Sequence, residues 1–210
     1  MVAIMKSMYV ITHAESVHHV EGKVGGWYDT GLTNHGREQA NRTAERLRGM
    51  IETKAPLITS SDLLRAKETA ECISDTFHCE TQTTPGLREI SYGEAEGKSQ
   101  SWLDDRISPA PDHNRLDHVI VDQGETKRQF ILRIYRALDE IASVGASTHI
   151  ILTHGFALTF VVSWWIQMPV ESAGFVNFGA SSGGITHLQE DRFWRNRTVK
   201  FLNDTSHLAY

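Results

Sequence analysis

A chain of 210 residues can bury a sizeable core as one domain, and a content of 40% apolar and 22% charged residues argues against both a disordered and a membrane-embedded chain. The formal charge of −5 argues against a nucleic-acid binder, which as a rule carries a basic excess, although an acidic chain can still hold an anion locally. No nucleic-acid partner and no membrane partner is therefore expected.

The β-branched and aromatic run Met8–Thr12 predicts a strand; it stops at His13 and gives way to a polar loop containing Gly22, Gly25 and Gly26. Thr33 to about Met50 predicts a helix with Ala40, Ala44 and Leu47 on one face, Leu57–Thr59 a second buried strand, and Asp62–Phe77 a helix with Leu63, Ala66, Ala70, Ile73 and Phe77 in one stripe. Cys72 and Cys79 read as sharing that helix, about 10 Å of rise apart and beyond disulfide reach, which suits a reducing compartment. Residues 92–124 change character: Gly93, Gly97, Pro109, Pro111 and many charges mark a loop-rich excursion placed to serve as a lid. Thr126-x-x-Gln129 is a capping box, followed by Phe130, Ile131, Ile134, Leu138 and Ile141 on one helical face. His149–Thr153 predicts a further strand, running directly into an apolar helix from Gly155. That apolar stretch, 156–168, ends at Pro169 and falls short of the roughly 20 residues a membrane span needs. "ITHLQE" and "TVKFLN" predict two closing strands, and "MVAIMKSM" at the N-terminus lacks the pattern of a secretory signal, so a cytoplasmic location is expected.

Strands alternating with helices predict a three-layer α/β/α sandwich with a mostly parallel central sheet, formed by a single domain over 1–210 with its insertion at about 92–124. Ligands of such sheets gather beyond the carboxyl ends of the strands, so His13 and His154 share one rim if their strands are neighbours. Each histidine alone is open to four roles: nucleophile, base, metal ligand or packed polar residue. Arg65, on the first turn of its helix, can reach an anion at that rim or lie on the surface as a solvated cation. Glu89, between Leu87 and Ile90, is either a carboxyl whose pKa desolvation raises enough for it to act as an acid, or a surface glutamate.

Taken in order, His13 with Glu15, "GWYDTGLTNHGREQA" at 26–40, "SSDLLRAKETA" at 60–70, "LREISYGEAEG" at 87–97 and "THG" at 153–155 resemble the histidine phosphatase superfamily, the phosphoglycerate-mutase-like fold. The resemblance spans residues 8 to about 165. It implies a phosphoric monoester hydrolase of the histidine acid phosphatase type, with catalytic residues His13, Arg65, Glu89 and His154 and substrate-binding residues Thr12, Glu15, His18, His19 and Gly155. His13 would take the phosphoryl group, Glu89 would protonate the leaving oxygen, and Arg65 and His154 would hold the equatorial oxygens, with no metal and no cofactor. The implied partner is a small phosphorylated metabolite.

The departures are specific. The family arginine before the nucleophile is Thr12 here and the family glycine after it is Ala14; losing the guanidinium removes a contact worth about 1.5–3 kcal/mol. His19 stands where the family commonly has asparagine, and one of His18 and His19, protonated beside the phosphate dianion, is expected to replace part of the missing charge. Three alternatives stay open: a phosphomutase of the phosphoglycerate mutase type, a non-catalytic phospholigand binder, and a metal site built from His13, His18, His19 and His154. His207 could fold over the site. Trp27, Tyr28, Tyr92 and Trp102 are candidates for stacking on a substrate ring. Trp164 and Trp165, adjacent on a helix, cannot both face one side, so one is expected to be free for the interface of a homodimer.

Overall fold

The structure, a computed structural model, describes residues 7–209. Most of the N-terminal stretch on which the cytoplasmic expectation rests lies outside that range. Six strands, β1 (Ser7–Thr12), β2 (Leu57–Ser61), β3 (Thr81–Thr84), β4 (Thr148–Thr153), β5 (Ile185–Glu190) and β6 (Arg197–Asp204), form one sheet in the order β3-β2-β4-β1-β5-β6. The first four positions pair in parallel, while β5 runs antiparallel to both β1 and β6, so the sheet is mostly parallel as predicted.

Alternation along the central strands decides which helices cover which face. Met8, Val10 and Ile151 point into one core with α5 (Lys127–Ser143), α6 (Gly155–Trp165) and the short α7 (Val170–Ala173). Tyr9, Ile11, Ile58, Ile150 and Leu152 point the other way, onto α2 (Asn34–Met50) and α3 (Leu64–Phe77). A three-layer sandwich results. Thr126 accepts from the Gln129 amide as its capping box predicts, and Thr33 caps α2 by accepting from Gly36.

Several boundaries differ from expectation. β2 continues two residues to Ser61, because Ser60 and Ser61 pair with the neighbouring strand instead of turning, and α3 begins at Leu64. Cys79 lies beyond the end of α3, where His78 takes a left-handed conformation; both thiols are free. The excursion carries the short α4 (Gln100–Asp104) and 3-10 turns at Gly93–Ala95 and Asp112–Asn114. The loop after β1 contains a single helical turn, α1 (Val17–Val20).

Trp164 and Trp165 are both buried, against the expectation that one reaches an interface. α6 is apolar all round and is enclosed on every side. Trp164 Nε1 donates to Asp139 at 2.8 Å, and the Arg197 guanidinium lies 5.3 and 5.1 Å from the two ring centroids. Among the described residues no helix is long and apolar enough to cross a membrane.

Candidate active site

β1 and β4 are neighbours in register, Thr12 opposite Thr153, and the His13 amide donates to the Thr153 carbonyl at 3.0 Å. The residues just past each strand therefore emerge together: the His13 and His154 rings meet edge to face with centroids 5.0 Å apart. His13 Nδ1 lies 2.8 Å from the Ala14 carbonyl, which can only accept, so this nitrogen carries the proton and Nε2 keeps its lone pair. Arg65 Nε donates to that Nε2 at 3.2 Å. His154 is held from the other side, its Nε2 2.8 Å from Ser61 Oγ, leaving a buried Nδ1 with no partner among the described residues.

Arg65 is only 1% exposed, although its sequence reading left a surface role open. Its outer nitrogens donate to the carbonyls of Gly26 and Tyr28 at 2.7 and 3.0 Å, so the "GWYD" segment encloses it. Asp29 of the same segment accepts from the Leu64 amide at 2.6 Å and caps α3, whose own N-cap, Leu63, cannot. Glu15 goes to structural use as well: its carboxylate accepts from Thr33 Oγ1 at 2.6 Å, and its carbonyl lies where a Cβ on Gly36 would collide with it, which explains a glycine inside α2.

Glu89 accepts at one oxygen from the Ile90 amide and at the other from the Phe156 amide, both at 2.9 Å. Its carbonyl is fixed by Trp27 Nε1 and by Arg133, which also donates to the carbonyls of Pro85, Gly86 and Arg88 and pairs with Glu125 at 2.7 Å. Trp27 is thereby a support for the acid-bearing loop. Tyr28 contributes its carbonyl to Arg65, Trp102 stacks under Arg106 at 4.2 Å, and only Tyr92 of the four candidate aromatics lines the cavity.

That cavity, about 290 Å³, is lined by His13, His18, His19, Arg65, Glu89 and Gly155, with Lys23, Tyr92, Gln100 and Leu103 among the residues at its sides. The excursion thus does reach the site, through Tyr92 and α4. Thr12, Glu15 and His154 lie outside the lining. His207 is turned to α2, its Nε2 3.0 Å from Thr43 Oγ1, and does not line the cavity. The His19 ring is nearly parallel to His13 at 5.4 Å and 4.2 Å from His18. His18 Nδ1 sits 3.0 Å from both Ser16 Oγ and Thr30 Oγ1, and a Cβ on Gly25 would come within 2.7 Å of its Nε2. Two rotatable hydroxyls can serve that Nδ1 in either protonation state.

Burial, with Arg65 next, holds His13 and His154 well below the usual histidine range, so both rings are neutral. Burial, His19 and Arg65 push His18 down to about 3, and burial with Arg65 lowers His19 against a smaller opposing pull from Glu15. Neither histidine is therefore a standing positive charge. Glu89 moves the other way: desolvation raises its carboxyl, against the two backbone amides and the cations Arg65 and Arg133. Burial lowers Arg65 to about 10, leaving it charged at neutral pH. Among the described residues no group of three or more His, Cys, Asp or Glu side chains is arranged to hold a metal ion.

Ser61, Arg133 and the lining residues Lys23, Gln100 and Leu103 went unnoticed in the sequence.

Comparison with known proteins agrees with this fold. The "Probable phosphoglycerate mutase GpmB" of Proteus mirabilis (strain HI4320) is 30% identical over 215 residues, covering 98% of this chain and 96% of that protein. The alpha-ribazole phosphatase from Shigella flexneri superposes with a TM-score of 0.78 at 24% identity, covering 94% of this chain and 96% of its own. A mycobacterial glucosyl-3-phosphoglycerate phosphatase does so with a TM-score of 0.78 at 22% identity, covering 95% of this chain and 100% of its own. The family model of the histidine phosphatase superfamily (branch 1) matches residues 8–205, and the chain belongs to that superfamily.

Proposed function

We propose that the protein is a phosphomonoesterase that hydrolyses a small phosphorylated metabolite through a phosphohistidine on His13. The observation that carries this reading is the state of the His13 ring, which lines the cavity: Nδ1–H is tied to the Ala14 carbonyl, and the lone pair of Nε2 accepts from Arg65 Nε. A neutral imidazole held in one tautomer is the form that attacks phosphorus.

In the first step Nε2 bonds to phosphorus as the ester P–O bond breaks, and Glu89, protonated at the pH where its raised pKa allows, gives its proton to the departing alkoxide. In the second, Glu89 takes a proton from water, the water oxygen bonds to phosphorus, and the P–N bond breaks to release inorganic phosphate. Arg65 exchanges its bond to His13 for one to a phosphoryl oxygen. His154, with Nε2 held by Ser61, offers Nδ1–H to another; a buried ring nitrogen without a partner is what an incoming acceptor would satisfy. Phe156 of α6 already spends its amide on Glu89, so the first turn of that helix serves the acid as well as the phosphate.

His18 and His19 complete the reading. With Thr12 in the arginine position, the arriving dianion reverses the electrostatics that keep these rings neutral, and one of them takes up a proton and becomes the second cation. We take the chain to act as one domain in the cytoplasm, with no cofactor; the two free thiols fit a reducing compartment.

Phosphoglycerate mutase activity is the second reading, favoured by the name of the curated relatives. Against it, the cavity presents only Arg65 and Lys23 as fixed cations, and Lys23 is already paired with Glu21 at 2.8 Å. A doubly phosphorylated intermediate calls for more. Incubation with p-nitrophenyl phosphate and a panel of sugar phosphates separates the possibilities. Phosphate release that is lost in His13→Ala supports hydrolysis, positional isomers without release support a mutase, and neither leaves a phospholigand binder.

A further inference from the structure

The phosphate cavity does not end at Glu89. It adjoins a more open recess of about 510 Å³, the two sharing Tyr92 and Gly155, and the recess is walled by Phe156, Asn177, Phe178 and Ala180. Glu89 connects them directly, since its carboxylate holds the Phe156 amide at 2.9 Å. An alcohol that takes its proton from Glu89 would be released beside this recess.

The walls define what that alcohol can be. Three of them are aromatic, and none of the residues lining the recess is a cation or an anion. Burial, with Glu89 nearby, raises the Tyr92 hydroxyl to about 12, so it stays a neutral phenol. The cations around it already have partners. Lys23, on the rim of the phosphate cavity, is paired with Glu21, and Lys127, whose Nζ lies 5.5 Å from the Phe156 ring centroid, donates to the Gly174 carbonyl at 3.1 Å. A carboxylate placed here would meet no opposite charge in the lining, whereas a flat ring would gain apolar contact and edge or face packing.

Building on the hydrolase reading, we propose that the natural substrate is the phosphomonoester of a neutral, ring-bearing alcohol, and that Phe156, Phe178 and Tyr92 select it over carboxylated esters such as the phosphoglycerates. The reaction is then ring-alcohol phosphate plus water giving the neutral alcohol and inorganic phosphate.

Two phosphonates test this without requiring turnover, because their C–P bond is not cleaved: benzylphosphonate and 3-phosphonopropionate, titrated calorimetrically into the full chain beside inorganic phosphate. The expected result is at least about tenfold tighter binding of benzylphosphonate, the scale of burying one aromatic side group. Asn177 is exposed, and the Thr159 hydroxyl that donates to its Oδ1 at 3.2 Å also reaches the Phe178 carbonyl at 3.4 Å, so Asn177→Lys should fold; it should move the ratio of the two affinities about tenfold toward 3-phosphonopropionate by placing a cation in the lining. Phe178→Leu, which keeps most of the volume, should weaken benzylphosphonate severalfold. Equal or tighter binding of 3-phosphonopropionate by the wild type, failure of both phosphonates where phosphate binds, or an unchanged ratio in Asn177→Lys overturns the substrate class while leaving the phosphate site intact. Absence of any phosphate binding overturns both the substrate class and the hydrolase reading beneath it.

Discussion

The ends of β1 and β4 carry the same dipeptide, Thr12-His13 and Thr153-His154, side by side in the sheet, yet the structure uses them differently. His13 spends Nδ1 on the carbonyl of its own successor and its Nε2 accepts from Arg65; His154 has Nε2 held by Ser61 of β2 and Nδ1 unpartnered among the described residues. The threonines divide too: Thr153 Oγ1 donates to the Leu87 carbonyl at 2.8 Å, whereas Thr12 Oγ1 has no partner among the described residues. The chain also leaves the two histidines differently, as a loop from His13 and as an apolar helix of 11 residues from His154. On the proposed mechanism, identical residues at equivalent strand ends would serve as a nucleophile and an oxyanion donor according to which ring nitrogen the neighbours occupy.

Removing each ring in turn is the strongest way to break that contrast. His13→Ala should lower kcat by roughly 10⁴ or more, and no acid-labile phosphoprotein should be trapped. His154→Ala, losing one donor to the transition state, should cost about 10²–10³ while still accumulating phosphoprotein. If the two variants prove equally inactive and equally free of phosphoprotein, the division of labour is wrong.

Glu89 sits between the two histidines in role, and its contribution depends on the leaving group. Glu89→Gln should lower turnover of alkyl phosphates by about 10²–10⁴ and that of p-nitrophenyl phosphate, whose phenolate leaves unaided, far less. On the proposed mechanism the wild type needs the acid form of Glu89, so the rate of the first step should fall as pH rises through its elevated pKa. The variant should lack that alkaline limb. A pH profile shared by both proteins would place the acid elsewhere.

The histidine cluster should also show in stability. His18 titrates near 3 in the folded state and near 6.5 when unfolded, so between these values the unfolded chain binds the extra proton. Stability is fully present above about 6.5 and is lost as pH falls toward 3, with a slope of up to about 1.4 kcal/mol per pH unit for each such ring. His13 and His154, lowered in the same direction, steepen it. Thermal melts from pH 7 to 4.5 should therefore show a falling Tm, more shallowly in His18→Asn. Parallel curves for the two proteins would mean that His18 is not neutral in the fold.

Much of this was legible in the sequence because strand ends and helix stripes leave local marks. The β-branched runs before His13 and His154, the apolar stripe of α5 and the capping box at Thr126 all depend on residues within a few positions of one another. The features that escaped depend on distant ones. β3, "TQTT", is a polar edge strand recognisable only by its pairing with β2. Ser61 meets His154 across 93 residues, and Arg133 reaches four carbonyls between 85 and 89; neither carries a local signature. Glu15, which the resemblance put at the substrate, accepts from Thr33 Oγ1, a bond that no spacing in the chain announces.

Thr12 offers the smallest effect and the finest test of the contrast between the two strand ends. Its side chain is 4% exposed, and its hydroxyl is unpaired where that of Thr153 is bonded. A buried hydroxyl without a partner costs about 1–3 kcal/mol, and valine has nearly the same shape without it. Thr12→Val should therefore raise Tm by a few degrees, at about 2–4 °C per kcal/mol for a chain of this size, and should keep kcat/KM within about twofold. The same substitution at Thr153 should destabilise, because it orphans the Leu87 carbonyl two residues before Glu89. A large loss of turnover in Thr12→Val, with Tm unchanged or lowered, would show instead that the Thr12 hydroxyl engages the phosphate and that its missing partner is the substrate itself.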